Sequence, residues 1–160
     1  MFEITVLTVG KLKEKFYLDA VAEYEKRLKG YCRLQIIELP EFRLSDDPSP
    51  AEIDAGLDKE AELILARLPK QAWFCVLTPE GKLLSSEALA DKLKAVKLSG
   101  KSSACFLIGS SFGIAKKIKE LADFTLSMSP MTFPHHLARV MVLEQIYRAE
   151  SIQAGSKYHK

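Results

Sequence analysis

Two continuous apolar segments restrict the fold of this chain more than any other feature. They are AWFCVLT (72–78) and ACFLIG (104–109), and neither alternates polar with apolar residues as a half-exposed strand would. Such segments are typical of strands that are covered on both faces, as in the parallel sheets of α/β proteins. They therefore predict a parallel sheet between two helical layers.

Three further strands and the helices between them complete the pattern. Strands are predicted at 3–9, 34–39 and 124–129. Apolar residues at helical spacing precede the second and third strands, and these are Tyr17, Val21, Tyr24 and Leu28, then Leu57, Ala61, Ile64 and Leu68. Five strands alternating with five helices predict an α/β fold with a largely parallel five-stranded sheet and helices on both faces. At 160 residues, without an internal repeat or a strong linker, we expect one domain.

The composition excludes some classes of protein. No run of eighteen or more apolar residues occurs, so no membrane-spanning helix is expected. The N-terminal segment places apolar residues before charged ones, unlike a signal peptide, and we expect a cytoplasmic protein. The three cysteines lie far apart in apolar stretches, which predicts buried, inert thiols. Residues 63–160 carry fourteen basic and seven acidic residues, a bias that suits a polyanionic partner but is often only solvated surface.

Three predicted strand ends are candidates for a binding site, because ligands of open α/β sheets gather beyond the carboxyl ends of the strands. They read LTPEGK (77–82), IGSSFG (108–113) and MSPMTFP (128–134). The G-S-S-F-G segment matches neither G-x-G-x-x-G nor a phosphate-binding loop, and a simple strand-to-helix turn explains it equally well. A generic nucleotide-binding enzyme is therefore a weaker alternative.

A cluster of cationic and titratable residues stands at the predicted start of the last helix. His135 and Arg139 share one face at i and i+4, next to the unpaired N–H groups of the helix start, where an anion would be attracted. The alternative is that the histidines bond loop carbonyls and that Arg139 pairs with an acid elsewhere. We expect no metal site, because no third ligand lies nearby and no H-E-x-x-H pattern occurs.

The C-terminal part of the chain offers two further features. After Arg139 the helix reads VMVLEQIY, which is apolar around much of its circumference and predicts burial in the core or against a second subunit. The last six residues, GSKYHK, contain Tyr158 and His159, an aromatic ring and an imidazole of the kind that hold RNA bases. A disordered tail is the alternative.

Several motifs together resemble a known family. They are VGKLKEK, EYEKRL, LTPEGKLLSSE, FLIG, MTFPHHLARVMVLEQIYRA and the terminal YHK, and they occur in the family's order over the whole chain. The chain resembles the ribosomal RNA large subunit methyltransferase H family, small members of the SPOUT (α/β-knot) methyltransferases. The resemblance implies transfer of a methyl group from S-adenosylmethionine to N3 of a pseudouridine in 23S ribosomal RNA, on the assembled ribosome. It also implies a homodimer and a single SPOUT domain, 1–160, with a C-terminal trefoil knot in roughly 72–160.

The resemblance also implies roles for particular residues. The substrate-side and catalytic positions are His135, Arg139, Tyr158 and His159. The cofactor positions are Leu77, Gly109, Met128, Ser129, Pro130, Met131, Thr132 and Phe133. One position departs from the family, which usually has two adjacent glycines after the fourth strand, whereas Ser110 follows Gly109 here. A serine would be strained if the backbone needs a positive φ at that position, with a loss of cofactor affinity.

The resemblance leads to a hypothesis about mechanism. His135 or His159 removes the N3 proton, Arg139 stabilises the resulting charge and contacts RNA, and Tyr158 stacks on or hydrogen-bonds the base. Proton loss to water is the alternative. Because the net charge is only +2, we expect weak methylation of naked RNA and better methylation of ribosomal particles. Other candidates are a SPOUT enzyme acting on transfer RNA and a non-catalytic ribosome-binding protein with the same fold.

Overall fold

Ten helices and strands alternate along the chain in the computed structural model, which describes residues 1–160. In order they are β1 (Glu3–Val9), α1 (Lys15–Leu28), β2 (Arg33–Leu39), α2 (Pro50–Arg67), β3 (Trp73–Leu83), α3 (Ser86–Leu98), β4 (Ser103–Ile108), α4 (Lys116–Leu121), β5 (Phe124–Ser127) and α5 (His135–Gln153). The strands form one sheet in the order β2-β1-β4-β3-β5, and every pairing is parallel. The predicted α/β fold with a five-stranded parallel sheet is therefore confirmed.

Two apolar cores lie on opposite faces of the sheet. One core contains buried side chains of α1, α3 and α5, among them Leu28, Leu93 and Ile146. The other contains side chains of α2 and α4, among them Ile64 and Ile118. Successive residues of a strand point to opposite faces, so a strand between two such layers must be apolar at every position. This explains the continuous apolar segments of β3 and β4.

The helix boundaries follow from local chemistry. Ser85 caps α3, where its hydroxyl accepts a hydrogen bond from the Ala88 amide at 3.0 Å. Ser49 caps α2 in the same way, directly before Pro50 in the first turn. Gly100 follows α3 with a φ of +89°, a left-handed conformation that stops the helix.

β3 does not end with the apolar segment 72–78 but bulges and then continues. Leu77 and Lys82 both pair with Leu126 of β5, so the residues between them bulge out while β3 continues to Leu83. A Cβ atom on Gly81 would lie 2.7 Å from the backbone of Leu126, which is why a glycine stands where the strand returns. The bulge places a Thr-Pro-Glu segment at the carboxyl edge of the sheet.

The cysteines are buried, as predicted. Burial raises the pKa of Cys32 and of Cys105 to about 12, and it also raises the pKa of Cys75, so none of the three thiols ionises readily. No group of three or more His, Cys, Asp or Glu side chains is arranged to hold a metal ion. None of the helices has both the length and the hydropathy needed to cross a membrane.

Candidate active site

A cleft of about 760 Å³ lies at the carboxyl edge of the sheet. Its walls are the bulge of β3, the loop after β4 and the loop between β5 and α5, three segments that parallel strands bring to one edge. Seven of the eight residues assigned to the cofactor line it, and these are Leu77, Gly109, Met128, Ser129, Met131, Thr132 and Phe133. Pro130 lies in the same loop but is not part of the wall.

The loop between β5 and α5 is bent by its own side chains. The Ser129 hydroxyl accepts a hydrogen bond from the Met131 amide at 3.0 Å, and the Ser127 hydroxyl donates to the Ser129 carbonyl at 3.2 Å. The apolar side chain of Met131 is 75% exposed beside the cleft, free to cover a ligand. The loop is therefore held in a turn whose apolar residues border the cavity.

Because Gly109 has no side chain, the backbone at the cleft wall can pack directly against Ile114 and Gly113. A Cβ atom at this position would lie 2.4 Å from Ile114 Cγ1 and 2.5 Å from the Gly113 carbonyl oxygen, so no other residue fits without a shift of the backbone. Ser110 is not strained, because the only non-glycine residue with a positive φ is Gln71. The condition under which a serine would distort this loop is therefore absent.

Ser110 instead joins a buried polar network. Its hydroxyl donates to Glu60 Oε1 at 2.9 Å, and the Phe42 amide donates to Glu60 Oε2 at 2.9 Å. Glu60 is 4% exposed, and burial raises the pKa of its carboxyl despite these two hydrogen bonds. The carboxylate of α2 thus connects the loop after β4 with the loop after β2.

The cleft has the mixed chemistry of a small-molecule site. Apolar side chains such as Leu77, Ile108 and Phe133 alternate along its wall with hydroxyls and backbone groups. Thr78 also lines the wall, and Lys119, together with the Thr78 side chain, lowers the pKa of the neighbouring Glu80 carboxyl to about 2. The residues present therefore fit a ligand that is partly apolar and carries several hydrogen-bonding groups.

His135 lies at the mouth of this cleft, in the first turn of α5. Its ring is 4.1 Å from that of His136, and it also lines a second, smaller cavity on its other side. Burial, together with the nearby His136 and Arg139, holds the pKa of His135 below its ordinary value. The imidazole is therefore neutral near pH 7 and can accept a proton.

Arg139 is buried rather than open to solvent. It is 2% exposed, its Nη1 donates to Glu38 Oε2 at 2.5 Å, and its Nη2 donates to the Gly10 carbonyl at 3.0 Å. The predicted direct contact of Arg139 with RNA does not agree with this placement. The pairing of Arg139 with an acid elsewhere, the alternative from the sequence, is what the structure contains.

Tyr158 and His159 fold against α5 of the same chain. The Tyr158 hydroxyl donates to Glu144 Oε2 at 2.9 Å, and the Arg148 guanidinium lies 4.7 Å from the Tyr158 ring centroid. His159 Nε2 is 2.6 Å from Glu87, while its Nδ1 is 3.2 Å from Arg148, which can only donate. Glu144 is nine residues beyond His135, about 13 Å along the helix, so one chain does not bring these four predicted residues together.

The sequence analysis missed two acidic residues that support the site. Glu38 is the penultimate residue of β2, and no local pattern indicates that it meets Arg139, 101 residues later. Glu60 did carry a signal, because it stands at helical spacing within the apolar stripe of Leu57 and Ile64. An acid inside an apolar stripe is unusual enough to indicate a buried partner.

Comparison with known proteins identifies the family of this chain. The sequence profile of a family described as "Predicted SPOUT methyltransferase" matches residues 2–159. The chain belongs to the SPOUT methyltransferase family. It is 48% identical, over 98% of its length and 99% of the relative's, to a Methanococcus maripaludis (strain C5 / ATCC BAA-1333) protein named "Putative ribosomal RNA large subunit methyltransferase H". The resemblance derived from the motifs is thereby confirmed.

Two solved structures share the fold. A "probable methylase family protein" from Haemophilus influenzae Rd KW20 has a TM-score of 0.54 at 12% identity, over 99% of this chain and 70% of that one. A "putative methylase family protein" from Neisseria gonorrhoeae has a TM-score of 0.54 at 15% identity, over 90% and 81%. At these identities the likeness concerns the fold alone.

Proposed function

We propose that this protein transfers a methyl group from S-adenosylmethionine to N3 of a pseudouridine in 23S ribosomal RNA. The relative that is 48% identical over nearly the full length, and whose name specifies large-subunit ribosomal RNA, supports the substrate class. The observation that carries the proposal is the cleft, because it joins three strand ends that are far apart in sequence and that match the family's cofactor positions. We further propose one SPOUT domain over 1–160, knotted in roughly 72–160.

The residues that would hold the cofactor are those of the cleft wall. Leu77, Met131 and Phe133 offer apolar cover, and Gly109 permits close approach of the backbone. When bound, S-adenosylmethionine supplies an activated methyl group on its sulfonium. The chain's own contribution is to orient donor and acceptor and to exclude water.

The acceptor nitrogen must lose a proton, because N3 of pseudouridine is an imide nitrogen. His135 suits this step, since it borders the cleft and its lowered pKa keeps it unprotonated near pH 7. Arg139 contributes as a positioning residue, because it holds the Gly10 carbonyl at the end of β1 next to His135. Tyr158 and His159 are the remaining candidates for contacts with the target base.

A homodimer would supply those two residues from a second chain. Within one chain Tyr158 and His159 lie well along α5 from His135. A second copy packed along α5 would let the tail of one chain complete the site of the other. The substrate would then be a pseudouridine of the large subunit or whole ribosome in the cytoplasm, with the ribosome supplying most of the RNA recognition.

Nucleoside mass spectrometry tests the proposal directly. Ribosomal particles that lack the modification are incubated with the protein and isotopically labelled S-adenosylmethionine, and the digested 23S RNA should contain labelled N3-methylpseudouridine. Label in transfer RNA alone would identify a different SPOUT substrate. Calorimetry that detects no S-adenosylmethionine binding would leave only a non-catalytic ribosome-binding protein.

A further inference from the structure

A second cavity of about 360 Å³ adjoins the methyl-donor cleft. It lies beyond the carboxyl ends of β1 and β2, and no apolar side chain of the core reaches it. Lys11, Lys13 and Arg43 line it from two different loops. His135 belongs to both cavities, so a group bound here is immediately beside the proposed site of methyl transfer.

Hydrogen bonds with the side chains of Arg139, Glu38 and Glu60 hold both loops that carry these cations. The loop after β1 is held by Arg139 through the Gly10 carbonyl and by Glu38 Oε2, which accepts the Leu12 amide at 3.0 Å. Partial burial alone would raise the pKa of Glu38, but the Leu12 amide and Arg139 lower it, so its carboxylate stays charged.

The loop after β2 is held by Glu60 through the Phe42 amide, next to Arg43. Fixed loops reduce the entropy that a ligand must remove.

The three cations are available, whereas the acids of the cavity are engaged. None of Lys11, Lys13 and Arg43 forms an ion pair. Glu41 accepts the Ser111 hydroxyl at 3.2 Å, and Glu14 is 3.7 Å from His136. Lys11, Lys13 and Arg43 outnumber the two carboxylates, Glu14 and Glu41, so the lining has an excess of one positive charge.

We propose that this cavity binds phosphate groups of the RNA strand next to the nucleotide that is methylated. Phosphate is the ligand chemistry that fits, because the lining is polar, cationic and open, with no apolar surface for a base to pack on. The proposal rests on the proposed function, since it places the substrate strand across His135. It assigns to Lys11, Lys13 and Arg43 a role in substrate binding that is separate from the cofactor cleft.

A matched pair of triple variants tests it. The first is Lys11→Ala with Lys13→Ala and Arg43→Ala. The control is Lys29→Ala with Arg67→Ala and Lys70→Ala, which removes the same charge from side chains that precede β2 and β3, at the opposite edge of the parallel sheet. Binding of a fluorescent pseudouridine-containing single-stranded RNA is followed by anisotropy at several salt concentrations, without the cofactor.

The cavity variant should bind this RNA about tenfold or more weakly at low salt. The logarithm of the association constant falls with the logarithm of the salt concentration, and this negative slope should become shallower by about 2, at roughly 0.7 for each phosphate that is no longer neutralised. The control should stay within about twofold of the unaltered protein, and S-adenosylmethionine affinity should be unchanged in both. Equal weakening in both variants, or unchanged binding in the cavity variant, would overturn the inference. Because this assay needs no turnover, a failure of methyl transfer in the unaltered protein contradicts the proposed function and leaves the binding result decisive.

Discussion

Arg139 in α5 and Glu38 in β2 are 101 positions apart in the chain and form an ion pair of 2.5 Å. Arg139 is 2% exposed, and its second nitrogen, Nη2, holds the Gly10 carbonyl. The pair therefore joins the last helix to the ends of the two strands that border the second cavity. Arg139, four residues after His135 in the helix, therefore stabilises the loops around His135 whichever substrate is bound.

Arg139→Met and Glu38→Gln should therefore act alike. Each should lower the free energy of unfolding by about 1.5–3 kcal/mol, since Arg139→Met leaves Glu38 without its hydrogen-bond donor and Glu38→Gln leaves the buried guanidinium without a counter-charge. The double variant should lose less than the sum, because both changes remove one interaction. Urea denaturation of the four proteins measures this cycle. A Glu38→Gln protein with full transfer rate beside an inactive Arg139→Met protein would show instead that Arg139 touches the substrate.

Gly109→Ala should damage the cleft that we propose binds the cofactor. The added Cβ would meet Ile114 Cγ1 at 2.4 Å and the Gly113 carbonyl at 2.5 Å, so the loop after β4 must move. We expect a loss of stability of about 1–3 kcal/mol from this overpacking and at least a tenfold weaker S-adenosylmethionine affinity by calorimetry. Gly30→Ala is the control, because nothing lies within 4 Å of its Cβ and its φ is not positive. Equal cofactor affinity in both variants would contradict the assignment of this loop.

Ser110→Gly tests whether the departure from the family's glycine pair is a defect or an adaptation. Glu60 would lose the hydrogen bond that it accepts at 2.9 Å and would keep only the Phe42 amide. We expect the variant to be less stable by about 1–3 kcal/mol, because a buried carboxylate oxygen is left unpaired. Thermal unfolding and calorimetry should show lower stability without tighter S-adenosylmethionine binding. A gain of cofactor affinity would mean that the serine weakens the site.

The pH dependence of methyl transfer should identify the proton acceptor. The pKa of His135 is held below the ordinary value of about 6.5, so the single-turnover rate should decline only as the pH falls below that value. His135→Gln should lose about 10²–10⁴-fold in rate together with this acidic limb.

His136→Gln is the companion variant for the pH profile. It removes a neighbour that lowers the pKa of His135, so the limb should shift upward toward the ordinary value. An unchanged rate and profile in His135→Gln would transfer the role to His159 or to water.

Mixing two inactive variants should show whether two chains build one site. If the tail of one chain completes the site of the other, a mixture of His135→Ala and His159→Ala chains forms heterodimers with one intact site of two. Random exchange makes about half of the dimers mixed, so about a quarter of the normal rate should return. No recovery, with sedimentation showing dimers, would place both histidines in the site of a single chain.

The sequence predicted those parts of the fold that depend on residues close together in the chain. Continuous apolar segments predicted β3 and β4, and helical stripes such as Val21 and Leu28 predicted the buried faces of helices, because side-chain direction follows directly from the period of the backbone. Seven of the eight residues that the motifs assign to the cofactor line one cleft, since parallel strands end at one edge, and their role stays a prediction.

The details of the site depended on contacts between distant residues. The bulge that returns β3 to β5 at Lys82 depends on the approach of Leu126, and the close packing at Gly109 depends on the approach of Ile114. The sequence alone determined the layers of this protein and the family to which it belongs. Only the tertiary structure decided that Arg139 is buried against Glu38, that Glu60 joins two loops and that Tyr158 lies away from His135. Those arrangements are set by packing between segments up to 101 residues apart, and no local period records which partner a polar side chain will meet.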